Sequence, residues 1–185
     1  MIYDKTINLV QLFMSQALKK GDIACDMTCG NGHDSLKILE VIGKEGHLYA
    51  FDIQKNALKN TKELLSKIDE SNYSLIEDSN ENAKAYVHGH IDFAIYNLGY
   101  LPGADKTVKT ESKATIRSLK NLLPLMSHGG NIIITAYKAH DGGMEEYKAL
   151  CDFVKNLNQK EFGVININFP NQINFPPEIF IIGVK

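Results

Sequence analysis

The sequence predicts a doubly wound α/β fold, with a seven-stranded, mostly parallel sheet that ends in an antiparallel hairpin. Two observations support this prediction. Strand-like and helix-like patterns alternate along the 185 residues, and such alternation is typical of parallel strands joined by crossover helices. No helical pattern separates the last two strand-like runs, so these two strands are expected to pair antiparallel.

Seven short apolar runs predict the strands. The run at 91–98 is strongly apolar, which indicates a strand in the middle of the sheet. The last two runs flank a turn at 170–177 that contains three prolines. The predicted strands span residues 23–28, 47–53, 73–77, 91–98, 131–137, 162–169 and 178–184.

Apolar residues spaced three or four positions apart predict the helices. Gly21 and Gly43 follow two of these segments as stop signals, and Pro124 is expected to end or kink a third. The predicted helices span residues 5–20, 34–42, 54–68, 80–87 and 145–157, and a further one lies within 110–126.

The composition indicates one globular domain over residues 1–185. Twenty basic and 22 acidic residues leave a net charge of −2, which excludes a uniformly basic surface for nucleic acid. Arg117 is the one arginine of the chain. Bidentate arginine contacts to base edges are therefore almost unavailable.

The three cysteines, Cys25, Cys29 and Cys151, are too few for a disulfide framework, and the spacing of Cys and His residues predicts no metal site. They are expected to be small buried side chains in a reducing compartment. No apolar run approaches the roughly 18 residues of a membrane span, and the first twenty residues lack the pattern of a signal peptide. A cytoplasmic protein without a membrane partner is expected, and the sequence leaves the choice between monomer and homodimer open.

The loop after the first predicted strand has features of a nucleoside-cofactor site. Gly30 and Gly32 allow a tight turn and a close approach of the backbone to a ligand, and the next helix offers free N–H groups. Asp52 ends the second strand, where its carboxylate can accept hydrogen bonds from ribose hydroxyls. The candidate residues in these two segments are Asp26, Thr28, Gly30, Gly32, Asp34 and Asp52.

Two details favour S-adenosylmethionine (SAM) over NAD as the ligand. A dinucleotide fingerprint requires Gly or Ala three residues after Gly32, where this chain has Ser35. Asp26 would repel a pyrophosphate but suits the cationic amino group of SAM. The loop departs from the commoner Asp-x-Gly-x-Gly-x-Gly motif, because Thr28 stands in the place of its first glycine.

Asp78 and Ser79 follow the third strand, and two interpretations of them stay open. Either side chain could hydrogen-bond an adenine at this edge of the sheet. Either could also cap the short helix that follows, with Glu81 in its first turn.

The fourth strand ends in Asn97-Leu98-Gly99-Tyr100, which resembles the Asn/Asp-Pro-Pro-Tyr loop of amino-group methyltransferases. In that loop an amide oxygen and a neighbouring carbonyl accept hydrogen bonds from the substrate amine and aim its lone pair. Asn97 and the Leu98 carbonyl would then orient an amine, and Tyr100 would stack on a planar base. The alternative is an ordinary strand-to-loop turn.

Residues 105–120 carry a net charge of +3, in contrast to the chain as a whole. This segment could hold RNA phosphates or form a solvated helix face. Asp105 and His140 are candidates to accept the proton of the amine, although an isolated loop histidine is more often structural. The candidate phosphate contacts are Lys106, Lys109, Lys113 and Arg117.

These motifs together resemble a bacterial family of tRNA 5-(aminomethyl)-2-thiouridine methyltransferases, which act on the wobble uridine of the anticodon. The resemblance runs from near residue 1 to the C-terminus, and the string Asn-Leu-Gly-Tyr-Leu-Pro at 97–102 makes it specific. The segments that carry it are 26–34, 51–54, 97–103, 105–106 and parts of 171–177.

The resemblance implies a class I, Rossmann-like methyltransferase with SAM as its cofactor and a tRNA anticodon stem-loop as its partner. The chain departs from the family at Asn80, Ala104 and Lys138, where the family often has His, Gly and His. His140 is therefore the one histidine candidate left in the 137–140 loop. The resemblance places at SAM-contact positions the residues Asn31, Asp52, Gln54, Ser79 and Asn80.

The expected function is SAM-dependent N-methylation of the 5-aminomethyl-(2-thio)uridine at the tRNA wobble position. The alternatives are methylation of ribosomal RNA or of a small-molecule amine, a SAM-binding module without turnover, and an NAD-dependent oxidoreductase.

Overall fold

A computed structural model describes residues 5–68, 72–99 and 112–185. The strands are β1 (Ile23–Asp26), β2 (His47–Asp52), β3 (Tyr73–Glu77), β4 (Ile91–Leu98), β5 (Met126–Ala136), β6 (Phe162–Ile167) and β7 (Glu178–Val184). The helices are α1 (Thr6–Ala17), α2 (His33–Ile42), α3 (Lys55–Leu65), α4 (Ser112–Leu122) and α5 (Gly143–Lys155). None of the helices that the structure describes has both the length and the apolar character needed to cross a bilayer.

The seven strands form one sheet in the order β3-β2-β1-β4-β5-β7-β6. Strands β1 to β5 are parallel, whereas β7 pairs antiparallel with both β5 and β6. This confirms the predicted doubly wound sheet and its C-terminal hairpin. From β1, the strands β2 and β3 are added toward one edge of the sheet, whereas β4 and the later strands are added toward the opposite edge. The crevice between the carboxyl ends of β1 and β4 is therefore the position where open α/β sheets bind ligands.

Two apolar clusters pack against the two faces of the sheet. Along β4, Phe93 and Ile95 belong to the cluster that includes side chains of α1, α2 and α3. Ala94 and Tyr96 belong to the cluster with α4 and α5. A strand covered on both faces is apolar at consecutive positions rather than alternating ones. The strongly apolar run at 91–98 is therefore the central strand that its composition predicts.

The structure differs from the sequence prediction mainly at β5. This strand begins at Met126, five residues earlier than predicted. Its pairing with β4 is interrupted between Ile91 and Phe93, opposite a segment that contains Gly129 and Gly130. Two adjacent glycines are typical of a turn, and here they form a bulge within a strand. Pro124 ends α4 as expected, because it lies in the short 3-10 turn that follows Leu122.

Candidate active site

The predicted cofactor loop lies at the carboxyl edge of the parallel strands, between β1 and α2. Its backbone is bonded to the strands on both sides. The Met27 N–H donates to the Ile95 carbonyl of β4 at 2.9 Å, and the Cys29 N–H donates to the Phe51 carbonyl of β2 at 3.0 Å. The loop is therefore held over the crevice where a ligand of this fold would bind.

Gly32 ends this loop and is required for two reasons. Its φ of +81° lies in the left-handed region, which residues with a Cβ seldom adopt. A Cβ at this position would also lie 2.9 Å from the Cα of Thr61 on α3. The close approach that the glycine allows is thus to a neighbouring helix of the protein itself.

Asp26 is the buried acidic group of the site. Its side chain is 1% exposed, accepts a hydrogen bond from the Ser35 hydroxyl at 2.6 Å and accepts another from the Thr28 N–H at 3.2 Å. Burial, followed by the nearby charges of Asp34 and Asp52, raises its pKa to about 7, although these two hydrogen bonds act to lower it. Asp26 is therefore a carboxyl group whose ionised form is destabilised in the free protein.

Asp52 connects the cofactor loop with the start of α3. Its Oδ2 accepts from the Gly30 N–H at 3.0 Å and its Oδ1 accepts from the Gln54 N–H at 2.9 Å. Each carboxylate oxygen keeps a further lone pair for a ligand hydroxyl. Asn31 lies near, and its amide oxygen accepts from Asn60 at 3.0 Å, which leaves its amide N–H groups to donate.

The chemistry of these residues fits SAM. Three carboxylates, of Asp26, Asp34 and Asp52, interact through space. The hydrogen bonds that they accept come from a serine hydroxyl, backbone N–H groups and the amide of Asn97. Because these donors carry no formal charge, a cationic sulfonium ligand would be attracted and a pyrophosphate repelled. The site therefore favours SAM over NAD.

Capping explains Ser79, the second of the two residues after β3. Its hydroxyl accepts from the Glu81 N–H at 3.3 Å, so it caps the short 3-10 helix Asn80–Ala85. Asp78 accepts hydrogen bonds from Asn82 and Tyr86 through different oxygens. The Asn80 amide donates to the Met27 carbonyl at 2.7 Å, and its oxygen remains as an acceptor at the edge of the cofactor loop.

Asn97 joins the candidate acceptor site to the cofactor loop. Its backbone N–H donates to the Thr28 hydroxyl at 2.7 Å, and its side-chain Nδ2 donates to Asp34 Oδ2 at 2.7 Å. Only the nitrogen of an amide can donate to a carboxylate, so Asn97 Oδ1 is left as the acceptor. Asp34, which the sequence analysis grouped with the cofactor residues, thus also orients the acceptor residue.

The remaining acceptor-loop predictions have different outcomes. The Leu98 carbonyl accepts from the Tyr137 N–H at 3.4 Å, a long bond that leaves its second lone pair for a substrate. Predictions for four other residues lie outside the described part of the chain. They concern Tyr100, Asp105, Lys106 and Lys109.

His140 lies beside the acceptor strand and is linked to a buried pair that the sequence analysis missed. Its Nε2 is 3.9 Å from the position that a Cβ of Gly99 would occupy. The Thr115 hydroxyl donates to Glu146 Oε1 at 2.5 Å, and Glu146 is only 2% exposed. Burial raises the pKa of Glu146, while Thr115 and the charge of His140 lower it. Acidic residues are common in a first helical turn, so nothing in the sequence distinguishes Glu146 from its exposed neighbour Glu145.

The two described candidates for phosphate contact are both on α4. Lys113 is exposed. Arg117 is also exposed, and its guanidinium contacts both carboxylate oxygens of Glu81 through Nε and Nη2. A phosphate would therefore have to compete with Glu81 for Arg117.

Comparisons with known proteins place the chain among RNA methyltransferases. The family described as "Putative rRNA methylase" matches residues 48–183. A relative from Arabidopsis thaliana, described as "tRNA (mnm(5)s(2)U34)-methyltransferase, chloroplastic", is 30% identical over 96% of this chain and 69% of its own length.

Two solved structures are similar over nearly the whole chain. A crystal structure from Clostridium thermocellum, described as a putative rRNA-methylase, is 31% identical over 100% of both chains, with a TM-score of 0.96. A crystal structure from Streptococcus mutans, described as a putative methyltransferase in complex with SAH, is 37% identical over 98% of this chain and 99% of that chain, with a TM-score of 0.90. SAH is what remains of SAM after methyl transfer. The carboxylate-lined loop and this bound product identify SAM as the cofactor. The chain belongs to the family described as "Putative rRNA methylase" and is a SAM-dependent methyltransferase.

Proposed function

We propose that this chain methylates the amine of 5-aminomethyl-(2-thio)uridine at the wobble position of tRNA, giving 5-methylaminomethyl-(2-thio)uridine. The observation that carries the proposal is the orientation of Asn97. Because its Nδ2 is bonded to Asp34 at 2.7 Å, the amide oxygen is left to accept a hydrogen bond. Asn97 is the penultimate residue of β4, and its backbone N–H donates to Thr28 of the cofactor loop.

Methyl transfer to an amine depends mainly on positioning. When bound, SAM supplies a methyl group on a positively charged sulfur, and the neutral thioether that remains after transfer is a good leaving group. An amide oxygen that accepts one N–H of a neutral amine holds the nitrogen and leaves its lone pair free to attack. Asn97 is bonded to both Thr28 and Asp34. The group that orients the amine is therefore fixed relative to the loop that binds the cofactor, and the Leu98 carbonyl is the second acceptor.

The amine loses one proton during the reaction, and His140 is the candidate to accept it among the described residues. Its ring lies next to Gly99, which directly follows β4, and imidazole is a common general base in active sites. Asp105 is the second candidate, and Tyr100 is the proposed stacking partner of the base. Both belong to the acceptor loop outside the described residues.

The wobble uridine is the proposed target because of the likeness in the acceptor loop and the name of the Arabidopsis relative. A base in an anticodon loop is already unpaired, so its presentation to an active site costs less than extraction from a duplex. The proposed partner is accordingly the anticodon stem-loop. Its phosphates would lie near α4, where Lys113 and Arg117 are exposed.

Methylation of ribosomal RNA is the second candidate, and the description of the matching family favours it. Both candidate functions use SAM. In both, Asn97 orients the group that is methylated, an amine in the first and a base in the second. They differ in the RNA that becomes methylated, so a direct product analysis separates them.

The test is nucleoside mass spectrometry after incubation of the purified protein with SAM. The substrates are tRNA that carries 5-aminomethyl-2-thiouridine and ribosomal RNA, both from cells that lack the enzyme. We expect the aminomethyl nucleoside of the tRNA to gain the mass of one methylene unit, with no change in the ribosomal RNA. Asn97→Ala serves as the matched inactive control. Methylation of ribosomal RNA alone would assign the second candidate instead.

A further inference from the structure

The loop between β6 and β7, residues 168–177, lies at the same edge of the sheet as the acceptor site. Glu178 begins β7 and pairs with Ala136 at the end of β5. Ala136 in turn pairs with Leu98 at the end of β4. Two strand spacings of about 4.8 Å place Glu178 roughly 10 Å from Leu98. The β6–β7 loop is therefore within reach of a nucleotide that neighbours one bound at the acceptor site.

This loop forms a groove of about 450 Å³ with a fixed polar floor, a volume typical of ligand sites. Lys138 Nζ donates to Glu178 Oε1 at 2.6 Å, and both side chains are about one-tenth exposed. Tyr147 and Asn166 donate to the other carboxylate oxygen at 3.0 and 3.1 Å. These bonds hold the floor in one arrangement, and the ion pair neutralises the charge of Lys138.

The wall of the groove presents an exposed aromatic ring on an unfavourable backbone. Asn174 and Phe175 have φ of +65° and +51°, a region that residues with a side chain seldom adopt. Phe175 is 61% exposed, and Ile173 is 83% exposed. Apolar side chains that stay in solvent do not stabilise the fold, and the left-handed backbone that holds them there has an energetic cost. Such strain is characteristic of segments that bind a ligand.

The chemistry of the groove favours a nucleobase over a phosphate. Lys138 is the cation among the lining residues, and its pairing with Glu178 leaves little attraction for a phosphate. The lining also includes the side-chain amides of Asn168, Gln172 and Asn174, which can both donate to and accept from base edges. The ring of Phe175 offers a flat face on which any base can stack.

We propose that the β6–β7 loop binds an unpaired base of the RNA substrate adjacent to the target nucleotide, with Phe175 as the stacking platform. This inference rests on the proposed RNA methyltransferase function. It adds a second base-binding position to the acceptor site.

The test measures binding of an anticodon stem-loop RNA with 2-aminopurine at a loop position next to the target base. Stacking on Phe175 is expected to quench the fluorescence of this analogue. Phe175→Ala should weaken RNA binding by about five- to 150-fold, as expected for one lost stacking contact, with SAM affinity unchanged. Phe175→Tyr retains a ring and should retain the affinity, whereas Phe175→Leu should resemble Phe175→Ala. Ile165→Ala is the matched control, because Ile165 is 56% exposed on β6 outside the groove.

Three results would overturn the inference. The first is unchanged RNA affinity in Phe175→Ala. The second is equal affinity in Phe175→Leu and Phe175→Tyr, which indicates an apolar contact without stacking. The third is a Phe175→Ala variant that binds RNA normally but no longer self-associates in sedimentation velocity. That result would assign the groove to a second copy of the chain. A wild-type protein that binds RNA but leaves the aminomethyl nucleoside unmethylated contradicts the proposed function instead, because the binding measurement requires no turnover.

Discussion

Asn97 Nδ2 and Asp34 Oδ2 are 2.7 Å apart, although 63 positions of sequence separate the two residues. The bond connects the end of β4 with the first turn of α2. It leaves one defined atom of Asn97, the amide oxygen, as an acceptor. The residue that would orient an amine is thus positioned by the helix that follows the cofactor loop.

Asn97→Ala removes the proposed amine acceptor and should lower kcat by about 100-fold or more, as for the loss of one orienting hydrogen bond in an active site. SAM affinity should stay within about tenfold of wild type. Initial rates on tRNA and calorimetry with SAM measure the two quantities. Asn158→Ala, at an exposed turn, controls for the loss of a surface amide. Full activity of Asn97→Ala would contradict its role in orienting the amine.

Asp34→Ala removes the acceptor that orients the Asn97 amide, which can then turn its N–H₂ group toward the substrate. We expect kcat to fall by roughly tenfold, about the effect of losing one charge-assisted hydrogen bond. Asp34→Asn keeps an oxygen that can accept from Asn97, so it should retain more activity than Asp34→Ala. Steady-state kinetics with saturating SAM tests this order. Equal activity in all three proteins would show that Asp34 does not orient Asn97.

Asp26 predicts a pH dependence of stability. Burial, together with Asp34 and Asp52, raises its pKa from 3.8 to about 7 in the folded protein. Between these values the folded protein holds a proton that the unfolded chain releases. The free energy of unfolding should therefore fall as pH rises from about 4 to about 7.

Asp26→Asn removes this contribution, so the stability of wild type relative to the variant should decrease across that pH range. Urea denaturation of both proteins at several pH values measures the difference, which cancels the effects of other titrating groups. SAM is cationic and should stabilise the ionised Asp26 carboxylate. Bound SAM should therefore reduce the change with pH in the stability of wild type relative to Asp26→Asn. A difference that does not change with pH would contradict the raised pKa.

Thr115→Val leaves the buried Glu146 without its hydroxyl donor. Loss of this hydrogen bond leaves a buried polar group unsatisfied and should lower the free energy of unfolding by about 2 kcal/mol. In Thr115→Val/Glu146→Leu the buried carboxylate is absent too. This double variant should therefore be destabilised by less than the sum of Thr115→Val and Glu146→Leu. Urea denaturation provides the four values, and simple additivity would rule out coupling between the two residues.

Gly32→Ala and Gly129→Ala form a matched pair at the same backbone angle, with φ of +81° and +82°. A Cβ at Gly129 meets no atom within 4 Å, whereas one at Gly32 lies 2.9 Å from the Thr61 backbone. Gly129→Ala should lower the free energy of unfolding by only about 1–2 kcal/mol, the cost of a left-handed backbone for a residue with a Cβ. Gly32→Ala should cost more and also weaken SAM binding, because it displaces the cofactor loop. Thermal denaturation with and without SAM tests both, and equal behaviour of the variants would contradict the argument.

The fold was largely predictable because its elements are short and their signals are local. Apolar runs and stop residues predicted all seven strands, and the missing helix before β7 predicted the antiparallel hairpin. The β5 boundary was wrong because Gly129-Gly130 is typical of a turn, and only the pairing with β4 shows that these residues form a bulge in a strand.

The candidate site was predictable to the level of residue types at the ends of strands. Asp26, Asp52 and Asn97 were identified because parallel strands bring their carboxyl ends to one edge. The double role of Asp34 was missed, since Asp34 is on α2 and its partner Asn97 is on β4, 63 positions away. Glu146 was also missed, because two adjacent acidic residues lie in the first turn of α5 and packing alone decides which of them is buried.

The sequence by itself determined the order of strands and helices, the edge of the sheet where ligands bind, and a set of acidic residues suited to SAM. These properties depend on spacing along the chain. The tertiary structure alone decided that Asn97 donates to Asp34, that Thr115 donates to Glu146, and that Arg117 pairs with Glu81. Each of these bonds joins residues more than 30 positions apart, so it depends on how whole elements pack rather than on any local pattern.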